Sequence, residues 1–254
     1  MGKVIAVANQ KGGVGKTTTC VNLCAALTLQ NKRVLLCDMD PQGNATSGIG
    51  VDKNKAEPNM YNVLIEGLNA GDVIVKTSYG DVLPSNKILS GAGIELVTTE
   101  NREYVLKNVL TGVRSNYDYI LIDCPPSLEM LTLNSLCAAD TILIPVQCEY
   151  FALEGLSDLM MSIRLVKKAL NPAIDIEGVL LTMYDSRTNF SSQVAAEIKK
   201  FFDRKVYTVS IPRNIRLAEA PSHRKPVIEY DRYSRGSLAY IELAKEIIRR
   251  NSGR

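Results

Sequence analysis

Lys11 and Lys16 bracket a glycine-rich run, Gly12, Gly13, Val14 and Gly15, and Thr17 and Thr18 close it. Two cations, three glycines and two hydroxyls in such a short stretch suit one task, the binding of a chain of phosphates. Glycines lack Cβ atoms, so the backbone can approach the anion and turn successive N–H groups toward it. A helix opening near Lys16 adds its N-terminal dipole and free N–H groups. In such a loop Lys16 reaches the β- and γ-phosphates of a nucleotide, and Thr17 gives its hydroxyl to Mg²⁺. The common phosphate loop has a glycine at the place of Gln10, whereas here Lys11 precedes the glycines. Lys11 can fold back onto its own phosphates or reach a nucleotide in a second subunit, and the residues leave both open.

Three carboxylates complete the chemistry. An apolar run at residues 33–37 ends in Asp38, Met39, Asp40, Pro41, Gln42 and Gly43. A strand that delivers carboxylates into a Pro/Gly turn places charge at the ligand edge of a sheet. Asp38 and Asp40 are two apart and share a face of an extended chain. One of them can sit near Mg²⁺ or Lys16 while the other holds a water for in-line attack. A second run, residues 119–122, ends in Asp123, the Walker-B pattern of a carboxylate that holds Mg²⁺. Thr17, Asp38 and Asp123 are therefore the expected metal set.

These groups need elements to position them. Apolar, β-rich runs are predicted as strands at residues 4–8, 33–37, 94–97, 119–122, 141–146, 178–183 and 206–211. Most are continuously apolar, as strands covered on both faces should be. Helical patterns lie between them, at residues 17–29, 102–114, 129–136, 153–170, 192–202 and 234–249. The alternation predicts an α/β fold: a mostly parallel twisted sheet with helices on both faces, as one P-loop NTPase-like domain spanning residues 1–254. Residues 51–93 are the least regular and are expected to hold loops and a short helix.

The 254 residues are enough for a large α/β domain, and 46 % apolar with 22 % charged residues is ordinary for a globular protein. No apolar run approaches a membrane span of about 18 residues. The first strand runs straight into the phosphate loop, so no signal peptide is read, and position 6 is Ala6, which does not match myristoylation. Six cysteines without a C-x-x-C pair read as buried thiols in a reducing cytosol. From Arg187 onward 15 Lys/Arg face 7 Asp/Glu, whereas 15 face 20 before it. That basic quarter points to an anionic partner beyond the nucleotide.

Together these residues resemble the ParA/MinD family of deviant Walker ATPases, and within it the chromosomal ParA (Soj) branch. The resemblance runs through residues 11–18, 38–46, 123–127, 145–150 and 211–214, followed by Arg216 and residues 219–222. It implies an ATP-dependent homodimer with nucleotides and Mg²⁺ buried between subunits. Lys11 would be the signature lysine reaching the partner's phosphates, and residues Gly12 to Thr18 the nucleotide cradle. Asp40 would position the attacking water, and Asp123 would be the Walker-B residue. Residues 40–46 and 123–127 match the two switch segments, and Pro212 and Asn214 fall where relatives border adenine. The resemblance further implies non-specific double-stranded DNA binding by the ATP dimer, through Arg187 and Arg216. A ParB-type partner would stimulate an otherwise slow hydrolysis, in the cytoplasm on the nucleoid. Lys199, Lys200, Arg204, Lys205 and Arg224 could extend the DNA surface. The chain begins at the phosphate-loop strand, so no operator-binding extension and no sequence-specific DNA binding are expected.

Two alternatives stand beside this. A MinD-like, membrane-associated positioning ATPase would use the last helix, with Leu238, Ile241, Leu243, Ala244, Ile247 and Ile248, as a membrane face; that spacing also suits core packing, and no stable membrane association is expected. A redox or iron–sulfur relative would need exposed thiolates, for which Cys124 and Cys137 are the candidates. The roles of Glu149 and of residues 51–93 stay open.

Overall fold

The computed structural model describes residues 1–149 and 151–252, and the following holds among those residues. Six strands, β1 (Lys3–Val7), β2 (Val34–Asp38), β3 (Asp81–Leu83), β4 (Tyr119–Asp123), β5 (Thr141–Gln147) and β6 (Asp175–Thr182), form one sheet. All pairings are parallel and the order is β3-β2-β4-β1-β5-β6. Helices α1 (Lys16–Leu29) and α2 (Asn44–Gly48) follow β1 and β2. Helices α3 (Met60–Leu64) and α4 (Ala70–Val73) precede β3, and α5 (Leu89–Glu95) and α6 (Val105–Thr111) lead to β4. Helix α7 (Met130–Ala138) joins β4 to β5, and α8 (Ala152–Ala169) joins β5 to β6. Helices α9 (Asn189–Phe202), α10 (Ile215–Glu219), α11 (Val227–Tyr230) and α12 (Arg235–Asn251) complete the described chain.

The strands read as continuous apolar runs because both faces are covered. Val4, Leu35, Ile120 and Ile142 pack with Leu106, Leu136, Leu159 and Ile163 of α6, α7 and α8. Their neighbours Ile5, Leu36, Leu121 and Leu143 pack on the other side with Leu23 and Leu27 of α1 and Leu243 and Ile247 of α12. Successive side chains leave opposite sheet faces, so one run feeds both cores. Helices α9 and α12 begin at hydroxyl caps, with Thr188 accepting from Ser191 N and Ser234 from Ser237 N. The apolar face of α12 is spent in the core, with Tyr240, Leu243, Ala244 and Ile247 buried and the Tyr240 and Thr19 hydroxyls sharing a 3.2 Å hydrogen bond. Of the six residues the membrane-associated alternative would use, Leu243, Ala244 and Ile247 are thus taken up by the core, Ile241 and Ile248 are half-buried, and Leu238 stays 49 % exposed.

Two predicted strands differ, and one strand was not predicted. Residues 94–97 are not a strand but the end of α5 running into a 3₁₀ turn, Leu96–Thr98. Leu89, Ala92 and Leu96 are buried while Ile94 is 77 % exposed, a helical periodicity that a four-residue apolar run conceals. Strand β3 lies inside the region that showed no regular pattern, because three residues are too few to display one. Residues 206–211 run beside β6 but bridge it only at Val206 and, through Tyr184, at Pro212. Tyr207 N and Ile211 N still donate to Val179 O and Leu181 O of β6 at 3.0 and 2.8 Å, but Val209 N between them turns to the carboxylate of Glu246 on α12 at 3.3 Å. The same carboxylate accepts Thr208 N at 3.1 Å and Thr208 Oγ1 at 2.6 Å.

Glu246 is buried, and Arg250 Nη2 donates to it at 2.6 Å. Burial pushes its pKa up, but the donors from Thr208 and the charge of Arg250 outweigh this and hold it below the ordinary 4.5. A depressed folded-state pKa contributes stability above about pH 4.5 and loses it as pH falls through the folded value. Glu246→Gln is therefore expected to cost about 1–2 kcal/mol at pH 7 and to flatten the acid limb of the stability profile. Urea unfolding of both proteins at pH 7 and pH 4 checks this: the gap between them should narrow at the lower pH.

Candidate functional site

Strand register assembles the site. Val7 at the end of β1 lies opposite Asp123 at the end of β4, and Asp123 lies opposite Asp38 at the end of β2. The phosphate loop leaves β1 at that same edge and enters α1. Gly13 and Gly15 have φ of +74° and +90°, the left-handed region where a Cβ is strained. A Cβ at Gly12 or Gly13 would meet no atom within 4 Å, so the loop faces open space where a ligand can approach. No side chain caps the start of α1, which leaves its first N–H groups available to an anion. The loop itself is anchored: Asn9 Nδ2 donates to Pro145 O at 2.8 Å, Asn9 Oδ1 accepts Lys11 N at 3.0 Å, and Thr182 Oγ1 donates to Val14 O at 2.8 Å.

Lys16 is buried and its ammonium donates to Lys11 O at 3.1 Å, curled back under the loop. Burial lowers its pKa, and the charge of Asp123 is the first of the effects that oppose it. Asp123 is fully buried and neither of its oxygens has a hydrogen-bond partner among the described residues. Burial, then the like charge of Asp38, push its pKa well up, with Thr17 opposing. An orphaned buried carboxylate beside the Thr17 hydroxyl offers oxygen donors that a divalent cation would satisfy, and the buried Lys16 adds positive charge suited to phosphate. Asp38 differs from the expectation that it shares that task. Its Oδ2 already accepts Thr46 N and Oγ1, both at 2.7 Å, and its Oδ1 accepts Asp40 N at 3.2 Å. Asp38 braces the turn that follows it, and Asp123 is the carboxylate left open.

Asp40 stands half-buried at the mouth of the site. Its Oδ1 accepts Gln42 N and its carbonyl accepts Gly43 N, both at 2.9 Å, closing a tight turn in which Gly43 has φ +60°. Lys11 sits on the rim, and its Nζ pairs with Glu149 Oε2 of the same chain at 2.7 Å, the two side chains being 37 % and 46 % exposed. Glu149, whose role the sequence left open, is thus the partner of the unusual lysine. Tyr150, the last residue of the motif at 145–150, lies outside the described residues.

A cavity of about 490 Å³ opens beside the loop, lined by Gly15, Thr18, Met183, Pro212, Asn214 and Leu217 among others. Pro212 and Asn214 thus line the cavity next to the loop, and Asn214 Oδ1 also caps α10 through Arg216 N at 3.0 Å. A larger cavity, about 660 Å³, lies at the opposite sheet edge, where Lys3, Arg33 and Arg114 are each paired with an acidic residue.

Arg187 follows β6 and Arg216 lies on α10, on segments joined by Tyr184 N donating to Ile211 O at 3.0 Å. Arg187 is 86 % exposed with a two-pronged contact to Asp185 at 2.9 and 2.7 Å. Arg216 contacts Glu219 at 2.9 Å and Asp231 at 3.3 Å. Of the residues expected to extend that surface, Lys199, Lys200, Arg204 and Lys205 lie elsewhere. Helix α9 carries Lys199 and Lys200 back across the sheet, and Lys205 pairs with Asp175, the first residue of β6, at 2.8 Å. Those cations, with Arg204, lie toward the opposite edge. Arg224 pairs with Asp52 at 3.3 Å. All six cysteines are free and buried, and burial pushes the Cys124 and Cys137 thiols up to about 12 and about 11, against the exposed thiolates a cluster site requires. Sequence reasoning gave no supporting role to Asn9, Ser85 or Thr182, because each makes a bond to a residue distant in sequence: Pro145, Asp40 and Val14.

The chain is similar to several known proteins. Residues 2–176 match the family model described as an AAA domain. The chain is 58 % identical over 249 residues to the sporulation initiation inhibitor protein Soj of Bacillus subtilis, covering 97 % of this chain and 98 % of that one. It is 50 % identical to the chromosome partitioning protein ParA of Caulobacter vibrioides, with 99 % and 96 % covered. Among solved structures it resembles the cobyrinic acid a,c-diamide synthase of Mycobacterium smegmatis with bound ATP analogue and magnesium. That match has a TM-score of 0.87 at 38 % identity and covers 100 % of this chain and 98 % of that one.

Proposed function

The chain belongs to the ParA/MinD family of ATPases, among its Soj/ParA chromosome-partitioning members, and on that premise we propose that it is an ATP-driven DNA-binding switch. The observation that supports this best is the shared sheet edge, where the two-lysine loop, Asp40 and the orphaned Asp123 converge. In this reading ATP lays its phosphates along residues 11–18, with its base against Pro212 and Asn214. Lys16 and the first N–H groups of α1 hold the β- and γ-phosphates. A Mg²⁺ held by Thr17 and Asp123 would neutralise charge on the phosphate oxygens. Asp40 orients the attacking water. Lys11 leaves Glu149 and reaches the nucleotide of a second copy, closing a homodimer over two nucleotides. A half-exposed ion pair is worth only about 0–1 kcal/mol, so Glu149 gives up the lysine readily.

The ATP dimer then presents Arg187 and Arg216, and their counterparts in the second copy, to the phosphates of double-stranded DNA without reading bases. A ParB-type partner stimulates hydrolysis and release, and the protein works on the nucleoid. DNA binding measured with ATP, with ADP and without nucleotide, with protein size followed in parallel, tests the whole reading; equal binding in all three states overturns it. Arg187→Glu is expected to weaken DNA binding about tenfold and to reduce the salt slope by about 1 per arginine lost, because fewer counterions are released. Filter binding between 50 and 200 mM salt, with ATP turnover as the control, checks it: turnover without DNA should not change.

A further inference from the structure

We infer that Ser85, in the loop after β3, is the positioning residue that fixes the Asp40 turn against the phosphate site. The inference rests on the reading of Asp40 as the residue that orients the attacking water.

A buried chain of hydrogen bonds runs from Asp38 to Asp40 by way of Ser85. Asp38 Oδ2 accepts Thr46 N and Oγ1 at 2.7 Å each. Thr46 Oγ1 in turn accepts Ser85 N at 2.9 Å, and Ser85 Oγ donates to the Asp40 carbonyl at 2.9 Å. Asp38, Thr46 and Ser85 are fully buried, so water cannot replace the bonds among them, and Ser85 Oγ reaches from this buried chain to the half-buried Asp40. The turn backbone also lies directly on this loop: a Cβ at Gly43 would come within 2.6 Å of Ser85 O. The loop is itself held, since Pro84 O accepts Met60 N of α3 at 2.8 Å.

The division of labour follows from which bonds are local. The Asp40 carbonyl also accepts Gly43 N, and the Asp40 side chain accepts Gln42 N, so the turn keeps its own shape without Ser85. The Ser85 hydroxyl is the tie from that carbonyl to the sheet edge. Ser85→Ala removes this tie alone, because the bond from Ser85 N to Thr46 is made by the backbone. The turn would then survive as a turn but drift relative to the bound phosphates, and a misplacement of about 1 Å can cost as much as about 10²-fold in rate.

The test is ATP turnover and nucleotide affinity of Ser85→Ala, Asp40→Ala and the double variant, all under ATP and Mg²⁺. Ser85→Ala is expected to lower kcat about tenfold with ATP affinity changed less than about twofold, and to add nothing in the Asp40→Ala background. Ser85→Cys, close in volume with a weaker donor, should fall between wild type and alanine, and decides the matter if the alanine variant does not fold. Wild-type kcat in the serine variants overturns the inference. So does parallel loss of affinity and kcat, or a full additional loss in the double variant. Asp40→Ala with unchanged turnover would instead refute the water-orienting reading, an outcome separate from any of these.

Discussion

Replacing Lys11 by alanine is expected to lower ATP turnover by about 10³-fold or more, the scale of a cation supplied to a phosphoryl-transfer site across an interface. The two lysines stand differently. Lys16 is buried beneath the loop and bonded to the Lys11 carbonyl. Lys11 extends outward on the rim, its ammonium paired with the half-exposed Glu149. A lysine that acts on its own nucleotide should weaken ATP binding when removed, whereas one that acts across an interface should leave monomer affinity within about tenfold and abolish the ATP dimer. Nucleotide titration and size measurement on Lys11→Ala separate the two. An ATP dimer of normal stability with normal turnover would remove Lys11 from the mechanism.

Asp40→Ala is expected to leave the ATP dimer intact and slow hydrolysis by about 10²–10⁴-fold, the range for losing a group that orients or deprotonates the nucleophile. The geometry supports that separation. Asp40 is half-buried on a turn braced by Asp38, and the loop that cradles phosphate is anchored independently by Asn9 and Thr182. Losing the Asp40 carboxylate costs the turn one bond, from Gln42 N, and costs the phosphate loop none. Single-turnover hydrolysis with pre-bound ATP gives the rate directly. Mixing the two variants then tests where Lys11 acts. If Lys11 crosses the interface, a mixed dimer has one complete site, formed by the Lys11→Ala subunit with the lysine of its Asp40→Ala partner, and turnover reappears on mixing. If Lys11 serves its own subunit, neither site is complete and the mixture stays inactive.

Much of the site was legible along the chain because it is written locally. The phosphate loop is contiguous, and Asp38 and Asp123 are the first charged residues after apolar runs, where a strand must leave the sheet. Five of the six strands announce themselves as continuous apolar runs because both faces are buried. What was illegible depends on partners far away in sequence. Nothing near Glu246 indicates that its carboxylate takes Val209 N from the edge of the sheet and Thr208 N beside it. Nothing near Lys199 or Lys205 reveals that α9 turns them away from Arg187. Strand β3 and Ser85 lie where no periodicity exists, yet that loop closes on the Asp40 turn.

Local order thus accounts for which groups this protein has available: the lysines, the glycines that free the loop backbone, and the carboxylates at strand ends. Which of them meet, and with what freedom, came from packing. Asp38 and Asp123 look alike as strand-end aspartates, and parallel register sets them side by side. Only the fold gives Asp38 three close protein donors and leaves the Asp123 oxygens without a hydrogen-bond partner at normal geometry among the described residues. The difference arises because a buried carboxylate is defined by the donors that reach it, and those donors come from Thr46 and the backbone of the turn, placed by folding at one end of the pair and not the other.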